Sequence, residues 1–409
     1  MNIVVENIKY IITPMPDGDL RILKNYDLLI EDNIIKCLSR KCEKPRDSIT
    51  INGQDKIVMP GFINIHQHVG SYLLENLVKE YSSYELLSKL YGVEDKIDRE
   101  YVELASHYTC LKLILTGTIG LLSTYPYAEE VVKTCSELGL YIATGPIYPY
   151  AVETININYD KLIPVASIYP IKYSDYNELV EAISKARDNG FKILVHLTGT
   201  RREVFLFRKT TGKWPVEYLY TYNLLGSDMV LAHLNWVSSM EINYLAENKP
   251  LINITPLTTM FLGEKSFTPT YEILSRKIQI SIGVEGFYNH DLNPWLELKI
   301  GYLLYKYSYG DNRIKQKQLL YHTLYQPYRF LGINGGSITE GTVANIIVFK
   351  YNGLDDPVNY IYSSSPTPEY VIVDGEVKLS PENRGEYIRK ISFYANKLTN
   401  KISQIGCAK

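Results

Sequence analysis

Between residues 59 and 333, short apolar runs alternate with longer stretches whose apolar positions recur at helical spacing. The runs predict strands at Phe62–Ile65, Thr118–Leu122, Tyr141–Thr144, Pro164–Tyr169, Lys192–Val195, Val230–Ala232, Pro250–Ile254 and Gln279–Ile282. Helical stretches at Tyr72–Tyr91, Asp98–Leu115, Glu129–Leu138, Tyr176–Asn189, Pro215–Asn223 and Met240–Glu247 lie between them. Strands with no polar alternation are expected where both faces of a parallel sheet are covered. Eight of them separated by helices over this length predict an α/β fold, a (β/α)8 TIM barrel.

The two ends read differently. Asp27–Glu31 and Ile34–Leu38 flank the turn pair Asp32-Asn33, and Glu369–Val373 and Glu376–Leu379 flank Asp374-Gly375, which are two hairpin signals. With the apolar run Ala344–Phe349, they predict a small β-sandwich module built from both chain ends. Ser380-Pro381 reads as an N-cap followed by proline at the first helical position, opening a terminal helix. The expected division is residues 1–58 for the first part of the sandwich, 59–333 for the barrel, and 334–409 for the second part with the helix.

Composition narrows the function. Forty-three basic residues against 45 acidic ones leave a formal charge of −2, without the basic excess that a nucleic-acid partner would require. No apolar run reaches membrane-spanning length, and the first residues lack the form of a secretory signal, so no membrane partner is expected. The five cysteines, Cys37, Cys42, Cys110, Cys135 and Cys407, are scattered and odd in number. They read as ordinary thiols of a cytoplasmic protein. Exposed tyrosine-rich segments such as Tyr302–Tyr309 leave room for a homodimer.

Four of the seven histidines stand at strand ends. His66 and His68 are two apart directly after a strand, so both imidazoles face the same way. His196 and His233 each close a separate strand, on the face where barrels carry their active sites. A single such histidine is commonly a structural hydrogen-bonding residue. Four in this order point to a metal, and neutral imidazole suits zinc, iron or nickel. His107, His290 and His322 read as structural or surface residues. A carboxylate is expected near the last strand as ligand and proton acceptor; Glu285 in Ser281-Ile-Gly-Val-Glu-Gly286 supplies it, with Asp291 as the rival.

The string Pro60-Gly-Phe-Ile-Asn-Ile-His-Gln-His68 resembles the amidohydrolase superfamily, in particular its cytosine/guanine deaminase and triazine or ethylammeline chlorohydrolase branch. The resemblance continues through Gly117-Thr118, Thr211–Leu219, Leu231-Ala-His233, Gly336–Gly341 and Val373–Gly375, almost end to end. It implies one divalent ion, Zn or Fe, on His66, His68 and His196, with His233 beside water or substrate. Binuclear members carry a modified lysine near Lys172, but the 37-residue step from His196 to His233 fits the mononuclear branch.

Two departures stand out. The family places a proton-shuttling glutamate three residues after its third histidine, whereas His196-Leu-Thr-Gly-Thr200 carries Gly199 there. On the last strand an aspartate is replaced by Glu285. Losing a proton shuttle costs roughly 10² to 10⁴ in rate. Glu203 is expected to face solvent on the following helix, the alternative being that it swings into the site. The reading is a metal-dependent hydrolase of non-peptide C–N bonds in a small, heterocyclic substrate, with Glu285 and His233 catalytic. Its rival is a catalytically degenerate binding protein. Specificity is expected in loops at Gly70–Tyr91 and Pro256–Glu264, and the sequence names no substrate-binding residue.

Overall fold

The computed structural model describes residues 2–74, 81, 83–149, 155–170, 176–286, 289–354 and 356–407; Lys172 lies outside them. Eight parallel strands stand side by side in chain order: Phe62–Gln67, Thr118–Ser123, Tyr141–Thr144, Leu162–Ile168, Lys192–Leu197, Met229–His233, Leu251–Ile254 and Ile280–Ile282. A short additional strand, Ile147–Tyr148, runs alongside the fourth. The predicted barrel is therefore present. Its strands are almost wholly buried because helices cover the outside and side chains fill the inside.

Side chains tie the first and last strands together. Asn64 Oδ1 accepts the Val284 N–H at 2.9 Å, while Glu285 O accepts from the His68 N–H and from Gln67 Nε2, each at 3.2 Å. The joint that closes the barrel thus runs directly beneath His66, His68 and Glu285.

Both chain ends enter one continuous eight-stranded sheet. Its N-terminal strands are Asn2–Pro14, Leu20–Glu31, Ile34–Ser39, Ser48–Asn52 and Lys56–Pro60; its C-terminal strands are Ile346–Lys350, Pro368–Val373 and Glu376–Leu379. The seam is the antiparallel pairing of Lys56–Pro60 with Ile346–Lys350. A separate core of Ile3, Val5, Ile8, Leu28, Val58, Ile346, Val348 and Ile372 holds it together. Both predicted hairpins form, with positive φ at Asp32, Asp374 and Gly375.

Several expectations change. The segment Pro256–Leu262 is a helix, not a loop, with its proline in the first turn. The terminal helix spans Arg384–Cys407, starting beyond Ser380-Pro381; the Ser380 N–H instead donates to Asn383 Oδ1 at 2.8 Å within a preceding turn. Cys37 and Cys42 are not free thiols but form a disulfide. The chain turns back directly after Ser39 and brings their Cα atoms to 6.0 Å, a closure that a spacing argument tuned to Cys-x2-Cys does not catch. Cys110 and Cys135 remain separate buried thiols, 3.7 Å apart at sulfur. No helix among the described residues is long and apolar enough to cross a membrane.

Candidate metal centre and active site

His66 and His68 leave the first strand on one face, as their spacing predicts. His66 is fully buried and His68 7% exposed. His196 lies in the fifth strand opposite Ala232, so strand register alone would send His233, which pairs with Leu197, to the other side. The backbone breaks that rule: φ is +78° at His233 and +51° at Leu234. Rotating φ this far swings Cβ about half a turn relative to the preceding strand. Such a conformation is uncommon for non-glycine residues and is kept only where surroundings enforce it. Here the Leu234 N–H donates to Leu197 O at 3.1 Å, and Thr268 Oγ1 donates to His233 O at 2.5 Å.

The result is a convergence of nitrogen atoms. Nε2 of His66 lies 3.1 Å from Nε2 of His68 and 2.9 Å from Nε2 of His196, and the remaining pair is 3.2 Å apart. Glu285 Oε1 stands 3.9 Å from His68 Nε2 and 3.8 Å from His233 Nε2. Glu285 Oε2 is buried without a hydrogen-bond partner among the described residues. Two ligand groups emerge, His66 with His196 and His233, and His66 with His68 and Glu285.

Three imidazole nitrogens each present a single inward-pointing position, so a mutual triangle cannot be satisfied by N–H···N bonds alone. Burial, the largest influence, drives the pKa of His66 down to about 3 and that of His196 well below its usual value. Both rings are neutral at pH 7. His66 Nδ1 lies 3.1 Å from Asn253 Oδ1, an atom that only accepts, so Nδ1 carries the proton and Nε2 presents its lone pair. Neutral nitrogens with converging lone pairs beside a buried carboxylate are the donor set of a divalent cation.

The sequence-predicted residues His66, His68, His196, His233 and Glu285 are thus brought together. Asp291 is excluded: its side chain is 84% exposed and pairs with Lys112 at 3.5 Å. His107 bridges towards Glu137 and stacks on Tyr394 at 4.6 Å, away from the site, as a structural residue.

Glu203 is placed differently from expectation. It does not face solvent: it is 9% exposed and lines the same cavity as His68, His196, His233 and Glu285. The reason is a capping box. Thr200 caps the helix Arg201–Thr211, and Glu203 turns back so that Oε1 accepts from the Thr198 N–H at 3.0 Å and Oε2 from the Gly199 N–H at 2.9 Å. Burial outweighs these bonds and pushes its pKa up to about 7. The Thr-x-x-Glu spacing at Thr200–Glu203 is the sequence signal for this inward turn.

Residue types alone also missed Asn253 and Tyr169. The Tyr169 ring stacks on His196 at 4.1 Å and 14°, and its hydroxyl donates to Thr124 O at 2.7 Å. Tyr169 directly follows the fourth strand, on the active-site face, and Asn253 is a lone polar residue within the buried seventh strand. Over the site, the helix Ser83–Glu94 lays Leu87, Leu90, Tyr91 and Glu94, leaving a cavity of about 40 Å³ for the centres of water-sized molecules.

A parallel barrel with histidines and a carboxylate gathered at the C-terminal ends of its strands defines a metal-dependent hydrolase. The chain belongs to the amidohydrolase family, whose profile matches residues 57–378. It is 28% identical over 405 residues to a 5-methylthioadenosine/S-adenosylhomocysteine deaminase of Thermococcus sibiricus, covering 92% of this chain and 94% of the relative. A 5'-deoxyadenosine deaminase of Methanosphaera stadtmanae is 28% identical over 384 residues, covering 87% and 90%.

The fold is shared with an adenosine deaminase from Xanthomonas campestris with bound zinc, at a TM-score of 0.86, 16% identity and coverage of 97% and 98%. An atrazine chlorohydrolase from Arthrobacter aurescens in complex with zinc superimposes with a TM-score of 0.83 at 18% identity, covering 96% and 99%. The chain is an enzyme of this family, a hydrolase of carbon–nitrogen bonds other than peptide bonds that uses a divalent metal.

Proposed function

We propose that the chain is a deaminase of an amino-substituted heterocycle, with an adenine nucleoside modified at its 5' position as the favoured substrate class. The observation that carries this reading is the triangle of His66, His68 and His196 nitrogens with Glu285 beside it. The near end-to-end similarity to two nucleoside deaminases supports the choice of substrate.

In this proposal His66, His68, His196 and Glu285 hold one ion, zinc or iron. Such an ion acts as a Lewis acid that brings the acidity of water into the neutral range. Glu285 takes a proton from the attacking water, and His233 donates a hydrogen bond to the oxygen as charge builds on it. Asn253 fixes the His66 tautomer, and Tyr169 holds the plane of His196. The division at residues 58 and 333, a cytoplasmic location and a homodimer belong to the same proposal. Tyr307, 89% exposed, and Leu303, 48% exposed, on the helix Pro294–Tyr309 support self-association. The free buried pair Cys110 and Cys135 agrees with a reducing compartment, and the Cys37–Cys42 disulfide weighs against it. No observation favours a non-catalytic binder.

The test is metal content by plasma mass spectrometry, followed by ammonia release from 5'-deoxyadenosine, 5-methylthioadenosine, S-adenosylhomocysteine, an aminopyrimidine and an aminotriazine. Ammonia from one of the nucleosides is the expected result. A fully loaded protein that releases none from any of the five overturns the reading.

A further inference from the structure

We infer that Glu203 is a catalytic residue, the second proton-carrying carboxylate of the site, delivered from a helix into the space that a side chain at position 199 would enter. This inference rests on the deaminase reading and deepens it.

The geometry carries it. A Cβ built on Gly199 would lie 3.7 Å from Glu203 Oε2 and 3.4 Å from His233 Cδ2, both ordinary contact distances. The Glu203 carboxylate therefore already stands at the mouth of that space, which the His233 ring also borders. Three backbone N–H groups, of Thr198, Gly199 and Thr200, fix it there at 3.0, 2.9 and 3.4 Å. These groups follow the fifth strand directly, so the carboxylate is referenced to His196 through a few residues of main chain. Oε2 accepts two of these bonds and Oε1 one, so Oε1 retains a lone-pair direction beyond them. Glu94 also lines the cavity, but it hangs from the covering helix and accepts from Ser71 Oγ at 2.5 Å.

Hydrolytic deamination requires two proton carriers. Water oxygen bonds to the ring carbon, one water proton passes to Glu285, and protonated Glu203 gives its proton to the neighbouring ring nitrogen. The carbon–nitrogen bond to the amino group then breaks. The amino group takes the proton from Glu285 and leaves as ammonia, while the new hydroxyl returns its proton to Glu203 as it becomes a carbonyl. Water and the amino heterocycle are consumed, ammonia and the lactam are formed, and both carboxylates end as they began.

Glu203→Gln tests this: with its amide oxygen in the place of Oε2 it still accepts from the Gly199 and Thr200 N–H groups, while its NH2 cannot accept from the Thr198 N–H. The expected result is a kcat lower by roughly 10² to 10⁴, with metal content unchanged and the melting temperature lowered only by the loss of that one bond. Adding Gly199→Glu to that variant places a carboxylate in the same space and is expected to restore at least a tenth of the parent rate. A role limited to capping the helix predicts no such rescue. Independently of turnover, calorimetry on metal-free protein at about pH 8.5, above the value of about 7 to which burial raises Glu203, should show the lactam product binding about tenfold or more weakly to Glu203→Gln, through loss of a hydrogen bond to the ionised carboxylate. Parent-like kcat and parent-like product affinity in Glu203→Gln overturn the inference and leave the proposed function standing. A parent protein inert on all five substrates overturns the proposed function and the inference with it.

Discussion

Nδ1 of His66 and Oδ1 of Asn253 face each other at 3.1 Å across the closing edge of the barrel. Asn253 is fully buried on the seventh strand, and its amide oxygen decides which nitrogen of His66 is free for a metal. Partners of this kind contribute 10- to 100-fold in metal affinity. Asn253→Leu, similarly branched but unable to accept a hydrogen bond, should weaken zinc binding by about 10- to 100-fold. Competition against a chromogenic chelator measures it; unchanged affinity would remove Asn253 from this role.

Gly283 extends the same relationship. A Cβ there would meet Asn253 Nδ2 at 2.6 Å, closer than side chains tolerate, and Oδ1 at 3.0 Å. Gly283→Ala should displace the amide and weaken metal binding in the same direction as Asn253→Leu. Because both act through one hydrogen bond, the double variant should be no weaker than the worse single variant by more than a few-fold. Full additivity would show that Gly283 acts by another route.

What the sequence made legible follows from how local each feature is. The barrel strands were readable because each is a continuous apolar run, and His66 and His68 because a period of two places them on one face. His196 was readable for a different reason, its position at a strand end. His233 lies beside His66, His196 and Glu285 although strand register would turn it away; the positive φ that turns it inward depends on contacts with Leu197 and Thr268 from elsewhere in the chain. Glu203 was misplaced because a charged residue early in a helix normally faces water, whereas here the capping box folds it back. The Cys37–Cys42 bond and the Asn253 contact are set by how the chain folds back and how distant strands align, which periodicity does not report.

Tyr169 separates stacking from hydrogen bonding. Tyr169→Phe keeps the ring on His196 and loses the bond to Thr124 O, a cost of about 1 to 3 kcal/mol for a buried unsatisfied carbonyl, together with the 3.4 Å contact of the hydroxyl to His68 Nδ1. Tyr169→Ala removes the ring and should cost roughly 3 to 5 kcal/mol in stability. It should also loosen His196 and weaken metal binding more than the phenylalanine variant, which gives up only the long contact to His68. Denaturant titration and metal competition on both variants decide it; equal metal affinity in all three proteins would leave the stack without a role at the site.

Glu285→Gln asks whether the carboxylate moves a proton. Glutamine keeps the size and one oxygen of the side chain but accepts no proton at neutral pH. The kcat should fall by roughly 10² to 10⁴ while His66, His68 and His196 still hold the metal. Mass spectrometry and ammonia release on the same preparation read both. Full turnover would end the assignment of Glu285 as proton acceptor.

His322 should make stability depend on pH at a place remote from the chemistry. It lies within the helix Gln316–Leu331 at 9% exposure, with Nδ1 unpartnered among the described residues. Burial lowers its pKa from 6.5 to about 4. Below pH 6.5 the unfolded chain takes up a proton that the folded chain refuses, so stability falls as pH drops, and the fall levels off below about 4. At 1.36 kcal/mol per unit, the loss is roughly 3 kcal/mol at most. In metal-free protein, His66 and His196 act in the same sense, because their pKa values are also lowered. His322→Leu should therefore flatten the dependence only in part, with its difference from the parent growing between pH 6.5 and 4. Urea denaturation at pH 7, 5.5 and 4.5 measures that difference; a constant offset across the series would mean that His322 is protonated in the folded protein or hydrated where it sits.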